Sequence, residues 1–169
     1  MANEIEKYNA IALADIENIN GITDANLQAL NGLEFTGALP GNAIFGYGHG
    51  VSNNFVSLTN LVSNAGVVST DTTGVGTARS RLAACSYGGD KAIFGYGDSA
   101  DGQESLTNLV SNSGVVATDV TGVGTARSYL TACEYGTDKG IFGYGVASGN
   151  SVSLTNLVSN SGVVASDVT

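Results

Sequence analysis

The chain has 169 residues, a formal net charge of -9 at pH 7 and only 12% charged residues, with six Lys and Arg scattered along it. Binding to a nucleic-acid backbone needs clustered basic side chains, so this composition excludes a nucleic-acid partner. No apolar run approaches the roughly 18 residues that span a bilayer, and the start MANEIEKYNA lacks the layout of a signal peptide. We therefore expect no membrane insertion, and a protein that stays in the compartment of its synthesis or leaves it on a larger particle.

The first 32 residues differ from the rest of the chain. The stretch Ile16–Ile22 (IENINGI) is echoed by Leu27–Leu33 (LQALNGL), and each copy has two apolar residues three apart followed by Asn-Gly. This spacing predicts a helix of one or two turns that ends at a left-handed glycine. Such short helices are unstable alone in water, so we predict that residues 1–32 form a helical N-terminal arm used for docking or oligomerisation.

The remainder of the chain repeats itself. The octapeptide SLTNLVSN begins at positions 57, 105 and 153, and a spacing of this size is typical of propeller blades or stacked units. The stretch 73–120 returns from position 121 with about three-quarters of its positions identical, and a partial copy precedes both, with LEFTGALPG in place of the usual opening. We therefore predict three blade-like β repeats, a first (33–72), a second (73–120) and a third (121–169).

Each repeat divides into four strand-sized pieces. In the third repeat these are RSYLTACEYG, KGIFGYG, VSLTNLVSN and GVVASDV, bounded by Gly, Asn, Asp or Ser. Tight turns are predicted at Asn112-Ser113-Gly114 and Asn160-Ser161-Gly162. Four antiparallel strands per repeat of this length are typical of a propeller blade. The predicted fold class is therefore mainly β, with repeated four-stranded antiparallel blades, as a propeller or a stacked-sheet prism, and a short helical N-terminal arm.

Two sets of residues are predicted to pack between neighbouring sheets. In the strand IFGYG, alternation predicts that Phe94 and Tyr96 lie on one face and cover the next sheet. Cys85 and Cys133 occupy equivalent places in successive repeats, and equivalent positions in neighbouring units seldom lie close enough for a disulfide. We predict that both cysteines are small buried residues in a reducing compartment.

Motifs that suggest a reaction or a bound cofactor are incomplete. The start Gly74-Val75-Gly76 is not followed by Lys-Ser/Thr or a long helix, as a phosphate-binding loop would be. His49 lacks a sequence-evident nucleophile and orienting group. The acidic loop that holds Asp98, Asp101 and Glu104 suits calcium, but the sister loops lack those acids. We therefore predict no catalytic residues, no cofactor and no metal.

Two groups of candidate residues follow from the repeats. The loops after the IFGYG strands form a possible recognition surface, with the candidates His49, Asn53, Asn54, Phe55, Asp98, Asp101, Glu104 and Asn150. Arginines head otherwise uncharged units and have Asp119 and Asp167 as potential partners, so they are predicted to fix the stacking of neighbouring blades. The structural candidates between blades are Arg79, Arg127, Tyr47, Tyr96 and Tyr144.

The repeats resemble kelch-like β-propeller blades. The resemblance lies in an arginine-led first strand (Arg79, Arg127), a second strand that ends in Ile-Phe-Gly-Tyr-Gly, a variable loop and two further strands. The chain differs from kelch blades in having Gly-Tyr-Gly and no Trp. Over nearly its whole length, its Asn-Gly-rich start and its IFGYG and SLTNLVSN units also resemble virion structural proteins of tailed phages of aquatic bacteria.

The resemblance implies a non-enzymatic structural component of a phage particle, a fibre, spike or decoration protein, assembled in the host cytoplasm. Residues 1–32 would attach it to other virion proteins. The alternative is a glycan- or receptor-binding propeller that uses the loops after the IFGYG strands to bind a host surface glycan. Three blades are fewer than the four to eight of closed propellers, so we also expect a homo-oligomer, either a six-bladed dimeric ring or a trimeric prism.

Overall fold

The chain divides into two compact units, Met1–Leu39 and Pro40–Thr169. The computed structural model describes residues 42–169 and, within the first unit, six strands of two residues each. In the described parts of the chain, no helix is long and apolar enough to cross a membrane.

The described residues of the first unit are strands. They form three antiparallel pairs: β1 (Lys7–Tyr8) with β2 (Ile11–Ala12), β3 (Asn18–Ile19) with β4 (Ile22–Thr23), and β5 (Ala29–Leu30) with β6 (Leu33–Glu34). The predicted helical arm is therefore not what the structure has on either side of Asn20-Gly21 and Asn31-Gly32. Asn-Gly is the preferred pair for a two-residue hairpin turn, and the described residues on either side of each pair are antiparallel strands. The predicted docking role of residues 1–32 lies largely outside the described residues.

The second unit consists of small antiparallel sheets, which confirms the mainly β prediction. The strands are β7 (Ala43–His49), β8 (Phe55–Val62), β9 (Ala83–Tyr87), β10 (Lys91–Ser99), β11 (Gly102–Val110), β12 (Thr131–Tyr135), β13 (Lys139–Gly143), β14 (Val146–Ala147), β15 (Asn150–Ser151) and β16 (Thr155–Val158). Their orders are β7-β8, β11-β10-β9, β12-β13-β16 and β14-β15. Within residues 42–169, the first and second predicted repeats thus contribute one sheet each, and the third contributes two.

The fourth piece of each repeat is held by single bridges. In the second repeat it returns antiparallel to β11 through the bridges Val110↔Val116 and Thr107↔Val120, and the first and third repeats have equivalent bridges. The predicted tight turns are present, because the Gly114 amide donates to the Ser111 carbonyl at 2.9 Å with a φ of 79° at Gly114. The second and third repeats therefore each contain four antiparallel pieces, three of them regular strands.

A β-bulge interrupts the strand IFGYG. In β10 the register shifts between Gly95 and Gly97, and Tyr96 between them has a φ of 64°, in the left-handed region. The bulge changes the direction of this side chain: Phe94 lies against Tyr47 of the first repeat, whereas Tyr96 lies against Phe142 of the third. The prediction that Phe94 and Tyr96 share one face is therefore wrong.

The hydrophobic core lies between successive sheets. One cluster of buried residues joins the second repeat to the third, and its members are Cys85, Tyr87, Ile93, Tyr96, Leu130, Phe142 and Val158. Successive side chains of a β-strand point to opposite faces of the sheet. Each three-stranded sheet can therefore present one face to the preceding repeat and one to the following repeat. We call the contact between the first and second repeats the first junction and that between the second and third repeats the second junction.

Candidate functional site

Each junction packs a phenylalanine ring on a glycine of the preceding repeat. At the first junction, a Cβ added at Gly46 would lie 3.1 Å from Cζ of Phe94, and at the second, one added at Gly95 would lie 2.7 Å from Cζ of Phe142. Protein interiors are close-packed, so a side chain at either position would displace the ring. Glycine is therefore needed here because a ring lies directly on the backbone.

The bulged tyrosines complete this packing. Tyr47 meets Phe94 and Tyr96 meets Phe142 edge to face, with ring centroids 5.2 Å apart in both pairs, an arrangement that aromatic rings favour. Their hydroxyl groups donate to the carbonyls of Val75 and Val123, each at 3.1 Å. Burial raises the pKa of both tyrosines, outweighing the effect of the nearby arginines. Both hydroxyls are therefore neutral hydrogen-bond donors at neutral pH.

A buried arginine stands behind each tyrosine. The guanidinium carbon of Arg127 lies 4.2 Å from the ring centroid of Tyr96, and in its own repeat Arg127 donates to the Tyr144 carbonyl at 2.9 Å and to Oδ1 of Asn156 at 2.7 Å. Such a stack is a cation–π interaction, and the planar guanidinium allows stacking and hydrogen bonding at once. One side chain thus organises the centre of its own repeat and contacts the preceding one.

The first junction has the same arrangement. Arg79 stacks on Tyr47 with its guanidinium carbon 4.5 Å from the ring centroid, and it donates to the Tyr96 carbonyl at 2.9 Å and to Oδ1 of Asn108. Burial lowers the pKa of Arg79, opposed by Tyr47 and Asp119, but arginine stays charged because its ordinary pKa is far above neutral. The predicted structural residues Arg79, Arg127, Tyr47 and Tyr96 therefore all lie at junctions.

The aspartates stabilise these arginines from within a repeat. Asp119 Oδ1 lies 3.6 Å from Nη1 of Arg79, and Oδ2 accepts hydrogen bonds from the amide and the hydroxyl of Thr77 at 2.8 and 2.7 Å. Burial raises the pKa of Asp119, but the donors Thr77 and Asn108 and the charge of Arg79 outweigh it, so that the pKa is lowered. Asp167 has the same environment beside Arg127. Both ion pairs join parts of one repeat, whereas the cation–π stacks join neighbouring repeats.

A serine links adjacent loops at each junction. At the first, Oγ of Ser80 lies 2.8 Å from Nε2 of His49; at the second, Nε2 of Gln103 donates to Oγ of Ser128 at 3.2 Å and to the Val146 carbonyl at 2.7 Å. His49 and Gln103 therefore have the same role in successive junctions. Ser80 is buried, and the pair Ser80–His49 connects the first repeat to the second.

The candidate recognition residues lie along the loops that these serines connect. The ring of Phe55 lies 4.9 Å from that of His49, whose Nδ1 is 3.3 Å from the Asn53 carbonyl. In the second repeat, Asp98 forms an ion pair with Arg81 at 2.9 Å. The hydroxyl of Ser99 donates a hydrogen bond to Glu104 at 2.7 Å and accepts one from the Asp101 amide at 3.1 Å. Asn150 donates to the Ser148 carbonyl at 3.2 Å, and Asn54 is exposed. In residues 42–169 the acids of this loop are not grouped: no three His, Cys, Asp or Glu side chains lie close enough to hold a metal ion.

The third repeat has an outer face that no repeat covers. Tyr144 is 61% exposed, whereas its counterpart Tyr96 is fully buried, and no arginine of residues 42–169 stacks on Tyr144. Cys133 is likewise exposed, whereas its counterpart Cys85 is buried. Burial is the main cause that raises the pKa of Cys85 to about 11. The prediction that both cysteines are buried is therefore wrong for Cys133, because the sheet that covers Cys85 has no equivalent beyond the third repeat within the described residues.

Sequence reasoning missed the polar residues at the centre of each junction. Asn108 and Asn156 hold the arginines, and Ser80, Ser128 and Gln103 connect the loops. The asparagines could have been found, since the first Asn of SLTNLVSN lies at the same place in the corresponding strand of every repeat, between Thr and Leu. Gln103 could not, because the loop sequences of the three repeats share no pattern.

No family model and no curated protein matches this sequence. Among solved structures, the chain is similar to a fungal alcohol oxidase with catalytic diversity among the AA5 family, solved in complex with copper, with a TM-score of 0.53 and 13% sequence identity. The similarity covers 75% of this chain and 28% of the oxidase chain. It shows a shared fold, and a shared fold carries no function by itself.

Proposed function

We propose that this protein is a non-enzymatic structural component of a phage particle, a fibre, spike or decoration protein, built from kelch-like blades. The observation that carries the proposal is the use of the buried polar side chains. Arg79 and Arg127 stack on tyrosines of the preceding repeat, and Asn108 and Asn156 hold these arginines within their own repeats. Among the described residues, every buried side-chain nitrogen or oxygen has a hydrogen-bond partner. The polar side chains at the centres of the second and third repeats are thus used in packing and hydrogen bonding, which favours a structural role.

The blade architecture is supported by the order of the sheets. In the second and third repeats, four antiparallel pieces follow one another, and each sheet packs on the sheet of the preceding repeat through a phenylalanine. Units that contact only their neighbours and share a core are typical of repeat proteins. The phage assignment depends on the resemblance of the IFGYG and SLTNLVSN units and of the N-terminal segment to virion proteins.

The particle assignment is tested with an antibody raised against recombinant residues 42–169. Gradient-purified particles of a phage that encodes this chain should carry the antigen in a constant ratio to the major capsid protein, and immunogold labelling should place it on the particle surface. A second infection, with the chain shortened to residues 33–169, should give particles without the antigen if residues 1–32 attach it. Purified particles that lack the full-length chain would contradict the proposal.

Recognition of a host surface glycan is the second candidate. It is favoured by the row of loops that Ser80 and Ser128 join, and by the neighbouring rings of His49 and Phe55 within that row. A glycan array probed with wild-type protein should give hits that Phe55→Ala abolishes and the turn variant Val163→Asp retains. An array without hits contradicts this candidate and leaves the structural role untouched.

A further inference from the structure

The first repeat carries an exposed copy of the ring that forms both junctions. Phe94 is 4% exposed and Phe142 is fully buried, because each lies on the glycine of the preceding repeat. Phe45 holds the same place in the first repeat, yet it is 65% exposed. The first repeat therefore presents the ring of a junction without the glycine surface that receives it.

The third repeat presents the complementary half. A Cβ added at Gly143 would meet only Cγ2 of Thr155, at 3.7 Å, whereas the equivalent Gly46 and Gly95 each lie under a phenylalanine. Around Gly143 are the exposed residues Tyr144, Cys133, Tyr135 and Leu157, and we call this set the outer face. Its counterparts in the second repeat are Tyr96, Cys85, Tyr87 and Leu109, which are buried or partly buried against the third repeat.

We propose that a second copy of this chain docks head to tail, with Phe45 of one copy seated on Gly143 and Tyr144 of the other. The exposed Phe45 and the uncovered Gly143 correspond to the ring and the glycine that meet at both internal junctions, so a second copy supplies the matching partner for each of them. A contact between different surfaces of identical chains closes into a ring when the rotation allows it. Two copies provide six repeats, within the four to eight of closed propellers, and the docking does not depend on the particle assignment.

The first test is the mass in solution of two complementary variants. Light scattering after size exclusion should give about twice the 17.0 kDa chain mass for the wild type. Phe45→Asp removes the phenylalanine ring that docks, and Gly143→Leu fills the glycine surface that receives it. Each variant alone should therefore be monomeric. Mixed in equal amounts, they should form a heterodimer, because each keeps the half that the other lacks.

The pattern of outcomes separates head-to-tail docking from other contacts. A symmetric contact between like faces would leave one variant dimeric alone and would give no heterodimer in the mixture, which overturns the proposal, as does a monomeric wild type. Val163→Asp is the matched control, since Val163 is also 65% exposed and its counterparts Val67 and Val115 are equally exposed at the same turn of the other repeats. This variant should remain dimeric.

Cysteine labelling gives a second readout, mapped by peptide mass spectrometry. Docking covers Cys133, so a maleimide should modify it at least tenfold faster in Phe45→Asp than in the wild type at micromolar concentration. Cys85 should stay unmodified in both proteins while they are folded, which shows that the variant has not simply unfolded. Equal labelling rates of Cys133 in the two folded proteins would overturn the proposal.

Discussion

The second junction and the outer face of the third repeat consist of nearly the same residues in different situations. Tyr96 at the junction is covered by Phe142 and stacked by Arg127, while Tyr144 on the outer face is exposed. Cys85 and Cys133 differ in the same way. Burial in this chain is thus determined by position in the array and not by the local sequence, as expected where each repeat contacts only its neighbours.

The largest effect is expected from Arg127→Ala. The substitution leaves the buried Oδ1 of Asn156 and the Tyr144 carbonyl without their donor and removes the stack on Tyr96. Loss of one partner from a buried charged network typically costs about 3–5 kcal/mol, and we expect that decrease in the free energy of unfolding by urea.

Arg81→Ala is the matched control for this prediction. Arg81 is exposed, although it pairs with Asp98 at 2.9 Å and stacks on Tyr129. Exposed pairs contribute about 0–1 kcal/mol, so the control should lose no more than that. Equal losses for the two arginines would show that the junction arginine has no special role.

The second junction and the outer face can be compared by the same glycine-to-alanine substitution at equivalent positions. Gly95→Ala places a Cβ against the ring of Phe142, whereas Gly143→Ala meets only Thr155 at an ordinary distance. Overpacking typically costs about 1–3 kcal/mol, so Gly95→Ala should lower the free energy of unfolding by that amount. Gly143→Ala should change it by less than about 0.5 kcal/mol. Both are measured in the Phe45→Asp background, so that association does not contribute, and an equal cost at the two glycines would contradict the packing described.

The sequence predicted the strands because their period and boundaries are local properties. The repeats, the tight turns at Gly114 and Gly162 and the mainly β class follow from alternation and turn residues alone. The bulge at Tyr96 does not, since a left-handed tyrosine has no local signal and is held by its contacts with Phe142 and Arg127. Facing directions and junction partners were therefore beyond prediction from strand alternation.

The predictions of a buried Cys133 and of a helical N-terminal arm failed for different reasons. Cys133 was expected to be buried by analogy with Cys85, but analogy between repeats ignores that an array has ends. An Asn-Gly dipeptide is typical both of a helix end and of a hairpin turn, and short apolar segments do not distinguish the two.

A smaller, pH-dependent effect is expected from the aspartates. Hydrogen bonds from Thr77 and Asn108 lower the pKa of Asp119 in the folded protein despite its burial, so its stabilisation is present above the unfolded pKa of about 3.9 and is lost as the pH falls through the lower folded value. The free energy of unfolding should therefore decrease as the pH falls below about 5, and less steeply in Asp119→Asn.

Asp167→Asn should flatten the same profile by a similar amount. The lowered pKa of Asp167 has the same causes as that of Asp119, and both ion pairs lie within a repeat, where the end of the array has no influence. A variant profile as steep as that of the wild type would show that another group controls the acid loss of stability.

The smallest effect is expected from removing one tyrosine hydroxyl group at the second junction and, for comparison, one on the outer face. The Tyr96 hydroxyl donates to the Val123 carbonyl at 3.1 Å at the second junction, and a hydrogen bond of this kind contributes about 0.5–1.5 kcal/mol. Tyr96→Phe should lower the free energy of unfolding by that amount, whereas Tyr144→Phe on the exposed outer face should change it by less than about 0.5 kcal/mol. Both rings are kept, so packing and the arginine stack are preserved and only the hydroxyl is compared. In the Phe45→Asp background a loss at Tyr144 as large as that at Tyr96 would mean that the outer face is covered within a single chain, and the two regions would no longer differ.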